Sequence, residues 1–336
     1  MIHRVSVAVT ARRVLFTLAT SAAWERAARA LPGAERGAYR LARSYVAGTR
    51  PEDALACAHR LAAAGLASSI DFFGENVSDP MEADRVTDHY VALAQMLERA
   101  RENTFLSIDL SHIGLDLPAK AVRRRLEQIA AALPAGRRIQ VGAEQERRAD
   151  RILAAVSDVA RAGGAVSATI QANLKRSRAD AQALAEGGVP IRLVKGAYVE
   201  DPQVARPWGE PTDVAFVELA HELHANGAEV AIATHDAILR EALLRALPGI
   251  GVEMLLGVRS ADARAVAGRG LARQDLRALR GRLVPLRDAP LGRVRGPIKP
   301  QSHTVPRAWH DAARRSKEGH GLHQGASPGS RGAGGR

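Results

Sequence analysis

Two cationic residues in the stretch IRLVKGAY, Arg192 and Lys195, could stabilise negative charge at the end of a strand. Strand side chains alternate between faces, so a spacing of three residues directs the two cations to opposite faces. Gly196 allows close approach to the backbone, and Tyr198 adds an aromatic ring. These residue types suit an anion or an electron-rich ring.

Other interpretations of the polar residues are open from the sequence alone. Ion pairs of the two cations with Glu200 or Asp201 would explain IRLVKGAY without a ligand. Thr234 and His235 in ATHD are further candidates, although a lone histidine is more often structural than catalytic. HELH has metal-like spacing but no evident third ligand, so we interpret it as helix surface and predict no metal site.

Short β-rich runs alternate with helical segments through most of the chain. The runs are ASSIDFF (67–73), FLSIDLS (105–111), RIQVGAE (138–144), AVSATIQ (165–171), PIRLVKG (190–196), EVAIATH (229–235) and GVEMLLG (251–257). Strands separated by helices form parallel sheets, and seven such units predict a (β/α)8 barrel of the TIM type. The alternative is a doubly wound sheet. Such a sheet should have a Gly-rich phosphate turn after its first strand, and GENVSD, which stands at that place, is not such a turn.

Polar residues stand at the carboxyl ends of these runs. They are Asp71, Glu75, Asp109, Ser111, Glu144, Gln171, Asn173, Arg192, Lys195, Thr234 and His235. Because the carboxyl ends of barrel strands meet at one face, we expect these side chains to line a shared cavity.

The chain divides into three predicted segments. Residues 1–62 are predicted to be helical, and PEDALACAHRLAAAGL is one of these helices. RRVLFTLATSAAW fits an amphipathic helix better than a signal peptide, because charged residues with helical spacing resume directly after it. Residues 63–270 form the barrel. Its eighth strand should begin about 20 residues after the seventh, but residues 271–336 there are basic and of low complexity. We predict that this strand is missing or replaced by a disordered tail.

The net charge of +12 is confined to the end of the chain. After residue 258 there are 17 of the 48 Lys and Arg and 5 of the 36 Asp and Glu, so the preceding residues are neutral overall. Only Trp309 is aromatic in this basic region, which argues against base stacking and predicts no specific nucleic-acid partner. A single cysteine, Cys57, fits a reducing cytoplasm, and no apolar run reaches the roughly 20 residues of a membrane span.

IRLVKGAY resembles the fifth-strand signature of the proline dehydrogenases, flavin-dependent barrel enzymes that oxidise proline to Δ1-pyrroline-5-carboxylate. GLASSIDFFGENV, LSIDLSHIGLD, TIQANLKRS, ATHD and LLGVR resemble that family's first, second, fourth, sixth and seventh strands in order and spacing. The resemblance covers roughly residues 40 to 270. The fifth-strand motif is specific, whereas the others gain weight as a series.

The resemblance implies an FAD site and a proline substrate. It assigns cofactor contacts to Gln171, Arg192, Lys195, Gly196, Ala197, Thr234 and His235, and catalytic roles to Arg192, beside the flavin's reactive nitrogen, and Tyr198, near the substrate ring. It further implies a membrane quinone as electron acceptor and a cytoplasmic protein, peripheral at the inner face of the membrane.

Two positions depart from the family pattern. Asp109 stands where the family commonly has a lysine that helps to hold the substrate carboxylate, and Gly142 stands where it commonly has an aspartate, with Glu144 two residues later. Asp109 would repel a carboxylate. Another flavin-dependent barrel oxidoreductase, such as a methylenetetrahydrofolate reductase, or a non-catalytic remnant is therefore the alternative function.

Residues from about Gly270 onward lack the family's eighth strand, and we hypothesise that they are translated in the wrong frame. Reading Gly270 to Val294 one base late, with permitted codons, gives GLPVRTYVPYGDGWFRYGMRRLAE. This contains the family's Y-V-P-Y-G and its paired arginines, which hold the substrate carboxylate, at the expected distance after LLGVR. Such a shift in a GC-rich gene also explains the excess of Arg, Gly and Pro. A naturally basic tail is the alternative.

Restoring the frame at codons 260 to 275 is predicted to raise proline turnover well above that of the chain as written, which should be poorly soluble and nearly inactive. Resequencing the gene and assaying both proteins measures this. Equal turnover, or a codon sequence whose shifted frame lacks the paired arginines, would refute the hypothesis.

Overall fold

A computed structural model of the chain describes residues 46–48, 50–258, 260–268 and 277–283. The chain divides into two compact units, Met1–Ile298 and Lys299–Arg336, and all of the second lies outside the described residues.

Seven strands lie side by side in chain order, and each neighbouring pair is parallel. After a short strand, β1 (Val46–Gly48), they are β2 (Ala67–Phe72), β3 (Thr104–Ile108), β4 (Ile139–Val141), β5 (Val166–Gln171), β6 (Ile191–Val194), β7 (Val230–Ala233) and β8 (Gly251–Glu253). Each of the seven overlaps one predicted β-rich run. The prediction of a parallel α/β barrel is confirmed.

The strands turn apolar side chains towards the helices, and several of them turn polar ones towards the barrel interior. Leu106 and Leu193 have no exposed surface and belong to the main core that the strands share with the helices. On the other face, Ser167 Oγ donates to Gln140 Oε1 at 2.8 Å, and Gln140 Nε2 donates to Thr169 Oγ1 at 3.0 Å. This two-residue alternation satisfies the interior polar groups and lets the helices bury the other face.

Helices follow the strands along the chain. They are α1 (Pro51–Ala63), α2 (Pro80–Met96), α3 (Ala119–Ala131), α4 (Ala149–Arg161), α5 (Ser177–Glu186), α6 (Glu210–Ala225), α7 (Ala237–Ala246) and α8 (Ser260–Ala267). Carboxylates cap two of them. Asp79 accepts from the Glu82 backbone N–H at 2.8 Å, and Asp236 accepts from those of Ile238 and Leu239 at 3.0 and 3.3 Å. Such caps satisfy amides that have no partner within the helix.

A ninth strand, β9 (Arg277–Leu283), begins where the eighth barrel strand was expected. It runs parallel to both β1 and β2 and lies between them. The prediction of an irregular tail therefore needs correction at these seven residues, because their backbone pairs with the edge of β2, whose amides and carbonyls need partners. Within the described ranges, no hydrogen-bonded ladder joins β9 to β8. A regular eighth strand that closes the barrel is thus missing from this part of the chain.

Several predictions fall outside the described residues. They concern the helices before residue 46, the tail after residue 283 and Trp309. Within the predicted helical segment 1–62, α1 matches a predicted helix, whereas β1 is a strand that was not predicted. Among the helices that the structure describes, none has the length and apolar character to cross a membrane.

Candidate functional site at the carboxyl ends of the strands

Gln171 joins the ends of three neighbouring strands. It is the last residue of β5 and is buried, and its Nε2 donates to the Glu144 backbone oxygen, beyond β4, at 2.8 Å. The Ala197 backbone N–H, beyond β6, points at Gln171 Oε1 with a separation of 3.4 Å. The sequence-predicted residues Gln171 and Ala197 are therefore in contact, and Gln171 fixes the spacing of the loops after β4 and β6.

Arg192 of β6 reaches across the barrel interior to Glu253, the last residue of β8. Its Nε and Nη2 both lie 2.5 Å from Glu253 Oε2, and only 8% of the Arg192 side chain and 12% of the Glu253 side chain are exposed. The alternative that Glu200 or Asp201 pairs with this arginine is wrong. Sequence reasoning missed Glu253, although its position at a strand end was a signal of the same kind as the others.

Lys195 leaves the strand end on the opposite face, as the spacing predicted. Its Nζ lies 2.6 Å from Asp213 Oδ1 in α6 and 3.1 Å from Asp236 Oδ2 at the start of α7. Burial favours the neutral form of the Asp236 carboxyl. The charge of Lys195 and the hydrogen bonds that the Asp236 carboxylate accepts outweigh burial and hold the pKa of Asp236 below its ordinary value. Both cations of IRLVKGAY are thus ion-paired with residues from other elements.

Gly196 has a backbone φ of 115°, which disfavours any side chain. A Cβ there would lie 2.1 Å from Asn173 Oδ1. Asn173 is buried, and among the described residues its Oδ1 has no hydrogen-bond partner. Close backbone approach and an unused acceptor therefore coincide at the end of β6. Nearby, Ala197 is exposed and Tyr198 is half-buried.

Thr234 and His235 hold the end of β7. The Asp236 backbone N–H donates to Thr234 Oγ1 at 3.1 Å, and the Leu255 backbone N–H donates to His235 Nε2 at 3.2 Å. Since Nε2 accepts, a neutral His235 ring carries its proton on Nδ1. These bonds tie the end of β7 to its following helix and to the segment after β8, so both residues have structural contacts.

A buried ionic network surrounds Glu144. Its Oε1 accepts from the Ser111 backbone N–H at 2.9 Å, and its Oε2 lies 2.7 Å from Arg148 Nη1, which also donates to Asn76 Oδ1 at 2.8 Å. Burial raises the pKa of the Glu144 carboxyl, and the Asp109 carboxylate adds to the rise, against the opposing effects of Ser111 and Arg148. Asp109, Glu144 and Arg148 therefore interact electrostatically in the region beyond β3 and β4.

His112 belongs to an aromatic cluster that sequence reasoning missed. The Tyr90 hydroxyl lies 3.2 Å from His112 Nδ1 and donates to the Phe72 backbone oxygen at 2.9 Å. The Phe72 and His112 ring centroids are 5.0 Å apart, and a Cβ on Gly74 would lie 2.0 Å from His112 Nε2. Burial lowers the pKa of His112 to about 4, so the ring is neutral in the folded protein.

The fold and these contacts define an α/β barrel with a polar interior, buried ion pairs and a glycine just after β6, which is the fifth of the seven barrel strands. The family model for proline dehydrogenase matches residues 54–245. The chain belongs to the proline dehydrogenase family.

Individual relatives agree with this assignment. The chain is 31% identical over 196 residues to proline dehydrogenase 1 of Bacillus subtilis, which covers 58% of this chain and 65% of that protein. It is 28% identical over 248 residues to proline dehydrogenase of Deinococcus radiodurans, covering 69% and 79%. The match thus spans just under two thirds of the Bacillus relative.

Two solved structures have the same fold. Proline utilization A from Bdellovibrio bacteriovorus has a TM-score of 0.64 at 18% identity, covering 73% of this chain and 31% of that one. The protein from Corynebacterium freiburgense has a TM-score of 0.58 at 18% identity, covering 76% and 31%. At this identity the likeness supports the barrel fold alone.

His112 is predicted to make folding depend on pH. The unfolded chain binds a proton near pH 6.5 and the folded protein only near 4, so the free energy of unfolding falls as pH falls through this window, by at most about 3 kcal/mol. The raised pKa of Glu144 acts in the opposite direction, and comparison of variants separates the two.

Urea unfolding between pH 7 and pH 4.5 tests this prediction. His112→Gln should flatten the pH dependence relative to the unsubstituted protein, whereas His221→Gln, on the exposed surface of α6, should leave it unchanged. An identical pH dependence for His112→Gln and the unsubstituted protein would contradict the prediction.

Proposed function

We propose that this chain oxidises L-proline to Δ1-pyrroline-5-carboxylate in proline catabolism, with FAD as cofactor. Family membership supports the reaction. The end of β6 is the observation that carries the proposal. A buried guanidinium on the inner wall of the barrel stands close in sequence to a glycine whose backbone φ of 115° disfavours a side chain. Because the match spans only 65% of the Bacillus relative, the activity of the whole protein is proposed for this chain.

The residues at this face fit a flavin. Gly196 lets the backbone approach the Asn173 side chain closely, and Asn173 Oδ1 is a buried acceptor without a hydrogen-bond partner among the described residues. A planar, polar cofactor needs both close approach and such acceptors. We propose that FAD is held by Gln171, Arg192, Lys195, Gly196, Ala197, Thr234 and His235. When bound, FAD supplies the two-electron acceptor for oxidation of a carbon–nitrogen bond.

The chain's own residues have three proposed tasks. Proline loses a hydride from C5 and a proton from its nitrogen, so that the C5–N single bond becomes double. The fixed charge of Arg192 offsets the negative charge that the two electrons bring into the barrel interior. Tyr198 contacts the substrate ring, and the barrel walls keep C5 directed towards the electron acceptor.

The remaining proposals concern partners and the end of the chain. We propose a membrane quinone as the final electron acceptor, a cytoplasmic location with peripheral contact at the inner face of the membrane, and no specific nucleic-acid partner. Catalysis belongs to the barrel, residues 63–270. Residues 271–336 lack the Y-V-P-Y-G segment of the restored frame and the paired arginines that follow it there, which is why we propose low activity for the chain as written.

A second candidate is another flavin-dependent barrel oxidoreductase, whose substrate lacks a carboxylate at this position. The observation that favours it is the Asp109 carboxylate beyond β3, which helps to raise the pKa of buried Glu144. A substrate carboxylate would meet repulsion there. The substrate that reduces the bound flavin distinguishes the two functions.

Anaerobic addition of proline to the FAD-loaded protein is predicted to bleach the flavin's visible absorbance. Arg192→Ala should lower FAD retention, or slow bleaching by about 100-fold, because a preorganised charge beside the developing negative charge is lost. Arg178→Ala, on the outer surface of α5, is the matched control and should behave like the unsubstituted protein.

Circular dichroism of all three proteins separates loss of the site from loss of the fold. A protein that purifies colourless, takes up no added FAD and shows no thermal shift with it would overturn the cofactor assignment. Bleaching by NADH or methyltetrahydrofolate, which donate electrons to the flavin of a methylenetetrahydrofolate reductase, but not by proline would favour the second candidate.

Asp109→Asn is predicted to lower the proline concentration for half-maximal bleaching rate by several-fold, because it removes a negative charge from the proposed substrate-carboxylate region. The maximal rate should change less. Asp158→Asn, on the exposed surface of α4, is the control. An unchanged or increased half-maximal concentration for Asp109→Asn would mean that Asp109 does not repel the substrate.

A further inference from the structure

The ion pair between Arg192 and Glu253 crosses a neighbouring strand inside the barrel. In the sheet register Arg192 stands opposite Ala231, and Ala233 stands opposite Glu253, so β7 lies between the two charged residues. Both inward positions of β7 are alanines. Their small side chains leave the guanidinium free to reach the carboxylate over the top of β7.

The contact is close and largely shielded from water. Two nitrogens of the guanidinium lie 2.5 Å from one carboxylate oxygen. Both side chains also line a cavity inside the barrel together with Phe105, Arg138 and Gln140. Charges screened so little by solvent interact strongly, and removal of either one leaves the other poorly compensated.

Glu253 therefore has two effects on Arg192. It fixes the direction of a long side chain that would otherwise sample many rotamers. It also cancels part of the positive charge at the place where, on the proposed function, electrons enter the barrel. A carboxylate beside a reducible group disfavours the reduced, more negative form, whereas a cation favours it.

We propose that Glu253 is a positioning residue that holds the Arg192 guanidinium on the inner wall and tempers its charge, thereby lowering the reduction potential of the flavin. This inference rests on the proposed function, since it concerns the flavin that the function requires. It assigns to β8 a part in the redox chemistry that neither IRLVKGAY nor the family match identifies.

Potentiometric titration of FAD-loaded Glu253→Gln tests the proposal. Glutamine keeps the shape and a hydrogen-bond acceptor for Arg192 but removes the negative charge. The equilibrium constant for two-electron reduction should rise by about tenfold, a positive shift of about 30 mV in midpoint potential. Glu222→Gln, whose carboxylate pairs with Arg178 on the outer surface, should leave the potential unchanged.

Each outcome decides the proposal. An unchanged or more negative potential for Glu253→Gln overturns it. A folded Glu253→Gln protein that no longer retains FAD also overturns the proposal. A residue that only offsets part of the charge beside the flavin is not required for FAD to bind. If Glu253→Gln does not fold by circular dichroism, Glu253→Asp replaces it. The shorter side chain moves the charge away from Arg192, and a smaller positive shift is expected, with no shift contradicting the proposal.

A flavin-free measurement separates this inference from the proposed function. Failure of the unsubstituted protein to bind FAD refutes the function alone. Urea unfolding of Glu253→Gln, Arg192→Gln and the double variant then tests the pair itself. The double variant should lose clearly less stability than the two single losses combined, whereas additive losses would show that the two side chains do not hold each other.

Discussion

The barrel depends on one constraint, which is that each strand must turn apolar side chains towards the helices, so that most polar side chains of the strands lie on the interior face. β6 shows it within two residues, since Leu193 is fully buried against the core and Arg192 points inward to an ion pair. A charge on the inner wall is tolerated only where another charge meets it, because an unpaired buried charge is costly. The site at the carboxyl ends of the strands is a consequence of this division between faces.

Much of the fold could be predicted from the sequence because strand pattern is a local property. All seven β-rich runs overlap observed strands, and the spacing of Arg192 and Lys195 correctly predicted opposite faces. The partners of these cations could not be predicted. Glu253 and Asp213 are distant in sequence, and only the sheet register and the direction of α6 bring them near. The buried environment of His112 was missed for the same reason, since it is built from Phe72 and Tyr90 on other elements.

Closure of the barrel is the place where local pattern and tertiary structure disagree. Arg277–Leu283 carries no clear strand pattern, yet its backbone pairs in parallel with β2. Backbone hydrogen bonds depend little on side-chain identity. An unpaired sheet edge can therefore pair with a segment whose side-chain pattern does not predict a strand. The missing ladder between β8 and β9, among the residues described, leaves the barrel without hydrogen-bonded closure beside Glu253. The proposed wrong reading frame affects this same part of the molecule.

A crystal structure of the FAD-loaded protein would show whether the end of β6 forms the cofactor site inside the barrel. We expect electron density for the isoalloxazine ring within hydrogen-bond distance of the Arg192 side chain and against the backbone of Gly196. FAD density away from β6, or crystals grown with excess FAD that show none while Arg192 and Glu253 stay paired, would contradict it.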